Sequence, residues 1–121
     1  MTDIVIIGGG PAGVSAALTA KNRGKSVTII SNSPEQSSLW KAKTLENYPG
    51  MPGVSGEKML ETFRKQIVDA QVQVIEGRAL SALSMGNAFG VTVGQDYYDC
   101  RAIILATGIV QQTSFPGKRS F

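Results

Sequence analysis

Six residues constrain this chain more than any others. Gly8-Gly9-Gly10-Pro11-Ala12-Gly13 fits G-x-G-x-x-G and follows directly on the apolar run Ile4-Val5-Ile6-Ile7. A continuous β-branched run of this kind predicts a strand buried on both faces, as in a parallel sheet. After the glycines, a helix is expected from Pro11 to about Asn22, with a small-residue face of Ala12, Ala16, Ala17, Leu18 and Ala20. Gly24 stands where a helix C-terminus commonly recruits glycine. Val27-Thr28-Ile29-Ile30 reads as a second strand. Strand, glycine turn, helix and strand form one βαβ unit, whose crossover is expected to be right-handed.

In that context each motif residue has a physical task. Gly8 permits the tight turn, Gly10 lets the backbone approach a pyrophosphate, and Gly13 lets the helix lie close on the strand. Pro11 suits the first helical turn, where its missing N–H costs nothing. The free N–H groups around Ala12 and the helix dipole then face the phosphates. The motif therefore predicts a bound dinucleotide. A ribose-binding acid is expected about 20 residues further on, at the end of the second strand. Ser31 and Asn32 stand there instead, Glu35 is the nearest acid along the chain, and no arginine follows the strand to favour a 2′-phosphate. Ser31 or Asn32 can still hydrogen-bond a ribose. The motif alone leaves FAD, NAD and NADP open.

Residues 31–55 form a long stretch rich in Ser, Asn, Pro and Gly. Loops of that length inside compact domains are usually functional. A helix is predicted from about Gly56 to Ala70, with Ser55 as N-cap, Glu57 and Glu61 near its positive end, and Met59, Leu60, Phe63, Ile67 and Val68 at helical spacing. Val72 to Ile75 reads as a third strand. Three alternating runs follow, around Leu80–Met85, Ala88–Val93 and Asp96–Cys100, separated by Gly86-Asn87 and Gly94-Gln95 in the manner of a β-meander. Ala102 to Ala106 reads as another buried strand, ending at Thr107-Gly108.

Composition removes several classes of function. The 121 residues suit one domain, and 42% hydrophobic residues suffice for a core. The net charge of +3 is spread along the chain, which argues against a nucleic-acid footprint. One cysteine, Cys100, and no histidine exclude an internal disulfide and a Cys/His metal site. No candidate acid, base or nucleophile for catalysis stands out. Met1-Thr2-Asp3 is not a basic leader, and the run after it is too short for a membrane span, so a cytoplasmic protein is expected.

Three segments carry a family resemblance. They are Asp3 to Ala17, Glu46-Asn47-Tyr48-Pro49-Gly50 with the Ser55-Gly56 helix start, and Ala106-Thr107-Gly108 with Pro116-Gly117 beyond it. In order and spacing the chain resembles the FAD domain of low-molecular-weight thioredoxin reductases and related pyridine nucleotide-disulfide oxidoreductases. The resemblance implies FAD as cofactor. Gly8 to Gly13 would hold its pyrophosphate and Ser31, with Asn32 beside it, would lie at the adenosine ribose. Leu39 and Asn47 would lie along the flavin, the backbone near Ala79 would meet the adenine, and Thr107-Gly108 would line the groove. The chain departs from the family where Gln36-Ser37-Ser38 replaces Gly-Gly-Gln before Leu39, and Trp40 is open to either stacking or packing.

Family members continue into an NADPH domain with a redox Cys-x-x-Cys, for which Cys100 alone is no substitute. The sequence thus predicts an α/β Rossmann-like fold with a parallel sheet, flanking helices and a small β-meander. Residues 1–110 form the N-terminal portion of an FAD domain, and 111–121 a linker toward the NADPH/disulfide domain. The implied function is the FAD-binding portion of a flavin-dependent oxidoreductase that passes electrons to a disulfide or other acceptor. Expected partners are FAD, that further domain or a partner chain, and a second copy in a homodimer. The alternatives are a nucleotide-binding module without turnover that needs a partner chain, and an NAD(P)-binding Rossmann domain.

Overall fold

The computed structural model describes residues 1–108. Its elements run β1 (Thr2–Ile7), α1 (Pro11–Asn22), β2 (Val27–Ser31), α2 (Gly56–Asp69), β3 (Gln73–Glu76), β4 (Ala79–Ser84), β5 (Phe89–Val93) and β6 (Asp96–Leu105). All six strands join one sheet in the order β3-β2-β1-β6-β5-β4. The strands β3, β2, β1 and β6 are parallel, whereas β4, β5 and β6 pair antiparallel. This is the Rossmann-like α/β fold with a meander, and the meander extends the same sheet.

The apolar runs of β1 and β2 serve two cores, because side chains alternate across a strand. Ile6 and Ile29 face the helices and pack with Val14, Ala17, Met59, Phe63 and Ile67. Val5, Ile7 and Ile30 face the other way and pack with Ala79, Val91, Val93 and Cys100. Each strand is thus covered on both sides, which is why its sequence is uniformly apolar. The buried polar Thr28 satisfies its hydroxyl by donating to Gln73 Oε1 at 3.1 Å on the neighbouring strand.

Helix ends follow local chemistry. Ser55 caps α2 by accepting from the Lys58 N–H at 3.1 Å, with Glu57 in the first turn. At the far end of α1, Gly24 takes φ +78°, and the N–H groups of Gly24 and Lys25 reach back to Lys21 and Ala20 carbonyls. On α2, Met59, Leu60, Phe63 and Ile67 are buried. Val68, expected with them, is exposed, since its position lies one step of the helical wheel beyond the buried stripe.

The runs 96–100 and 102–106 are not two strands but one, β6, ten residues long. It changes partners along its length. Asp96 to Cys100 pair with β5, and from Cys100 to Leu105 the strand pairs with β1. Arg101, the polar residue that looks like a break, is exposed and extends toward Asp3, with Nε 3.7 Å from Oδ1. The third strand begins at Gln73, one residue later than Val72 suggested, although Val72 is buried. The linker expected over residues 111–121 lies outside the described residues. Among the described residues no helix is long and apolar enough to cross a membrane.

Candidate functional site

The loops leaving β1, β2 and β6 depart from fixed points. The Gly8 N–H donates to the Ile30 carbonyl (2.9 Å), the Ala106 N–H to that of Ile7 (2.8 Å), and the Gly77 N–H to that of Ser31 (2.8 Å). Above these strand ends lies a cleft of about 580 Å³. It opens outside the carboxyl ends of the strands, where β1 is flanked by β2 on one side and β6 on the other. Open α/β sheets hold their ligands at such a point.

The glycine turn forms the floor of the cleft, and its glycines have different causes. Gly8 takes φ +121°, and a Cβ there would run into the Ala106 carbonyl. A Cβ on Gly13 would meet the Gly8 carbonyl oxygen, so this glycine allows α1 to seat on the turn. A Cβ on Gly9 would stand 2.6 Å from Ser31 Oγ. Those three are required by the fold itself. Gly10 is not, because its backbone is extended (φ −82°, ψ −165°) and a Cβ there would touch nothing within 4 Å. The absence of a side chain at Gly10 leaves clear space at the cleft. A ligand that approaches the backbone closely fits that space.

Gly10 is also the N-cap of α1 and supplies no side-chain cap, and the first turn contains no acid. The first intrahelical bond is from the Val14 N–H to the Gly10 carbonyl at 3.0 Å. The N–H groups of Ala12 and Gly13 therefore have no acceptor within the helix, and Pro11 has no N–H to leave unsatisfied. The contrast with α2, whose own Ser55 caps it, is direct. The N-terminus of α1, exposed at Ala12, suits a phosphate.

Ten of the twelve residues expected at the site line this cleft: Gly8, Gly10, Pro11, Ala12, Ser31, Asn32, Leu39, Ala79, Thr107 and Gly108. Gly13 lies buried beneath the turn. Asn47 does not reach the cleft; it is exposed. The reason is the anchoring of its segment on α2: the Tyr48 ring packs on Phe63 with centroids 6.1 Å apart and planes tilted by 59°. The loop is fixed further by the Leu45 N–H donating to Val54 (2.8 Å) and the Gly56 N–H to Ala42 (2.9 Å). Trp40 is half-buried against the helix-side core and does not line the cleft, so its role is packing. The departing segment Gln36-Ser37-Ser38 does line it.

Two charged residues of the cleft were not anticipated, Arg64 on α2 and Arg78 after β3. They lie far along the chain from β2, and only the helix spacing of Leu60, Arg64 and Ile67 along one flank of α2 hinted at the first. No Asp or Glu side chain lines the cleft among the described residues. Its charge therefore suits an anionic ligand.

The sequence profile of the pyridine nucleotide-disulphide oxidoreductases matches residues 2–120. The chain is 28% identical over 122 residues to a thioredoxin reductase of Aquifex aeolicus, covering 98% of this chain and 38% of that protein. It is 30% identical over 111 residues to a ferredoxin–NADP reductase of Streptococcus sanguinis, covering 88% and 34%. Among solved structures, a thioredoxin reductase of Streptococcus pyogenes superposes with a TM-score of 0.86 at 30% identity over 94% of this chain and 37% of that one. A ferredoxin-flavin thioredoxin reductase of Clostridium acetobutylicum gives 0.84 at 34%, over 93% and 39%. The chain thus spans a little over a third of the length of these relatives. From a glycine turn seated between strand and helix, and a profile that runs through nearly every residue, we conclude that this chain belongs to the pyridine nucleotide-disulphide oxidoreductase family.

Proposed function

We infer that the cleft binds FAD and that the chain is the FAD-binding portion of a thioredoxin reductase-like oxidoreductase. Gly10 carries this reading: the fold does not need a glycine there, and a ligand pressed against the backbone does. In this account the turn Gly8 to Gly13 holds the pyrophosphate, with the Ala12 N–H at the helix N-terminus facing it, aided by the cationic Arg64 and Arg78. Ser31 and Asn32 lie at the ribose, and the backbone near Ala79 meets the adenine. Leu39 and the Thr107-Gly108 turn border the flavin and limit its access to water. Bound flavin would supply the redox chemistry, passing electrons to a disulfide or other acceptor. The chain's own residues bind and orient it. Residues 1–110 make up this portion, 111–121 lead toward an NADPH/disulfide domain, and the setting is cytoplasmic.

The test is a titration of the purified chain with FAD, followed by flavin fluorescence, with NADH and NADPH titrated in parallel. Saturable FAD binding supports the reading. Binding of NADH or NADPH with none of FAD would replace it with an NAD(P)-binding domain.

A second reading rests on a different face. On the side of α1 away from the cleft, Ile4, Ala16, Ala20 and Ile104 border a shallow apolar depression. Parallel sheets are ordinarily covered on both faces. In this reading the chain is a nucleotide-binding module that covers this face with a partner chain or a second copy. Gel filtration showing a monomer alone and no shift with the candidate partner would remove it.

A further inference from the structure

The carboxylate expected at the end of β2 is missing from β2, but one stands beside it on the neighbouring strand. We propose that Glu76, at the end of β3 and at the edge of the cleft, supplies a ribose-binding carboxylate and selects adenine nucleotides with a free 2′-hydroxyl. This rests on the reading that the cleft holds an adenine nucleotide.

Register and alternation bring Glu76 to that position. Ser31 is paired with Glu76, and Ile29 with Val74, in the parallel ladder between β2 and β3. Neighbouring strands lie about 4.8 Å apart. Side chains two residues apart along a strand share a face. Ser31 therefore shares the face of Ile29, and Glu76 that of Val74, and both Ile29 and Val74 line the cleft. Gly77 and Arg78, which follow Glu76, line it as well. Glu76 does not itself line the cleft; it stands at its edge, between the lining residues Val74 and Gly77. The Gly77 N–H holds the Ser31 carbonyl at 2.8 Å, which keeps the two strand ends together.

The fold makes no use of this side chain. Glu76 is exposed and has no ion pair or side-chain hydrogen bond among the described residues. Ser31, by contrast, donates its hydroxyl to the Asn32 carbonyl at 3.1 Å and is left to act as an acceptor. A ribose beside Ser31 would present its 2′-hydroxyl to the carboxylate of Glu76. Such a charge-assisted bond is the recognition that a β2 acid ordinarily provides. The same negative charge disfavours a phosphate on that hydroxyl, against the pull of Arg64 and Arg78.

The experiment compares four probes on the purified chain by calorimetry: ADP, 2′-deoxyADP, AMP and adenosine 2′,5′-bisphosphate. The wild type is expected to bind ADP about tenfold more tightly than 2′-deoxyADP, the value of one hydrogen bond to a charged group. Glu76→Ala is expected to bring that ratio to within about twofold while leaving the melting temperature unchanged. The bisphosphate is expected to bind the wild type no more tightly than AMP. An ADP preference that survives Glu76→Ala overturns the proposal, as does a bisphosphate that binds the wild type more tightly than AMP, since the arginines would then be reading a 2′-phosphate. Failure of every probe to bind the wild type overturns the nucleotide reading of the cleft itself, and this proposal with it.

Discussion

The carbonyl oxygen of Gly8 occupies the space that a side chain on Gly13 would need. That relationship separates the glycines of the turn into those that the fold requires and the one that it does not. Gly13→Ala must push α1 off the turn, because backbone atoms cannot rotate away as a flexible side chain would. Its expected cost is about 2–4 kcal/mol in urea denaturation. Gly10→Ala meets no atom and keeps an ordinary backbone conformation, so its stability should stay within about 1 kcal/mol of wild type. Equal losses for the two variants would contradict this division.

The start of the sheet carries a pH-dependent clamp. The Ser26 N–H donates to Asp3 Oδ2 at 2.9 Å, the Ser26 hydroxyl donates to the same oxygen at 3.2 Å, and the Asp3 N–H donates to Ser26 Oγ at 2.8 Å. The backbone bond from Ser26 is the main reason that the Asp3 carboxyl titrates below its usual 3.8, followed by the Ser26 hydroxyl, with Lys25 and Arg101 adding to it. A depressed carboxyl favours the folded state above its unfolded value, and the gain is lost as pH falls through the folded value. Asp3→Asn should therefore melt below wild type at neutral pH, and the gap should close as pH drops below 3.8. A gap that persists unchanged into strong acid would refute the clamp.

α2 offers a test of capping. Ser55→Ala removes the acceptor of the Lys58 N–H and should lower stability by about 1 kcal/mol. Because α2 presents Leu60 and Arg64 to the cleft, ligand affinity should also fall. Restoration of stability by Ser55→Asp would confirm that the oxygen acts as a cap.

Cys100 sits where β6 exchanges β5 for β1, fully buried among Val5, Ile7 and Val91. Burial raises its thiol pKa, and neighbouring Asp99 adds to the rise. A thiol held protonated and covered is a poor nucleophile. It should react with an aromatic disulfide reagent only after unfolding, whereas rapid labelling of the native chain would show that this strand junction opens.

Much of this molecule could be read from its residues, and the exceptions share a cause. β1, the glycine turn, α1 and β2 follow from contiguous patterns in which each local preference agrees with the fold. What escaped depends on contacts between distant segments. Arg101 interrupts an apolar pattern yet lies mid-strand in β6, because its position is exposed and Asp3 lies within reach. Asn47 belongs to a recognisable segment, but the packing of Tyr48 on Phe63 fixes that segment away from the cleft. Arg64 and Arg78 reach the cleft, and Glu76 stands opposite Ser31 at the end of β2, through helix phase and sheet register, which no single stretch of sequence displays.

The most direct measurement is FAD affinity in wild type and Gly10→Val, with melting temperatures recorded on the same samples. A Cβ at this position meets no atom within 4 Å, so valine is expected to leave the turn in place at no more than the modest cost of an apolar residue at an N-cap. The account predicts saturable FAD binding by the wild type, lost in Gly10→Val while the chain stays folded and loses no more than about 1–2 kcal/mol of stability. Undiminished FAD binding by Gly10→Val would contradict it, because the pyrophosphate would then not lie on the glycine turn.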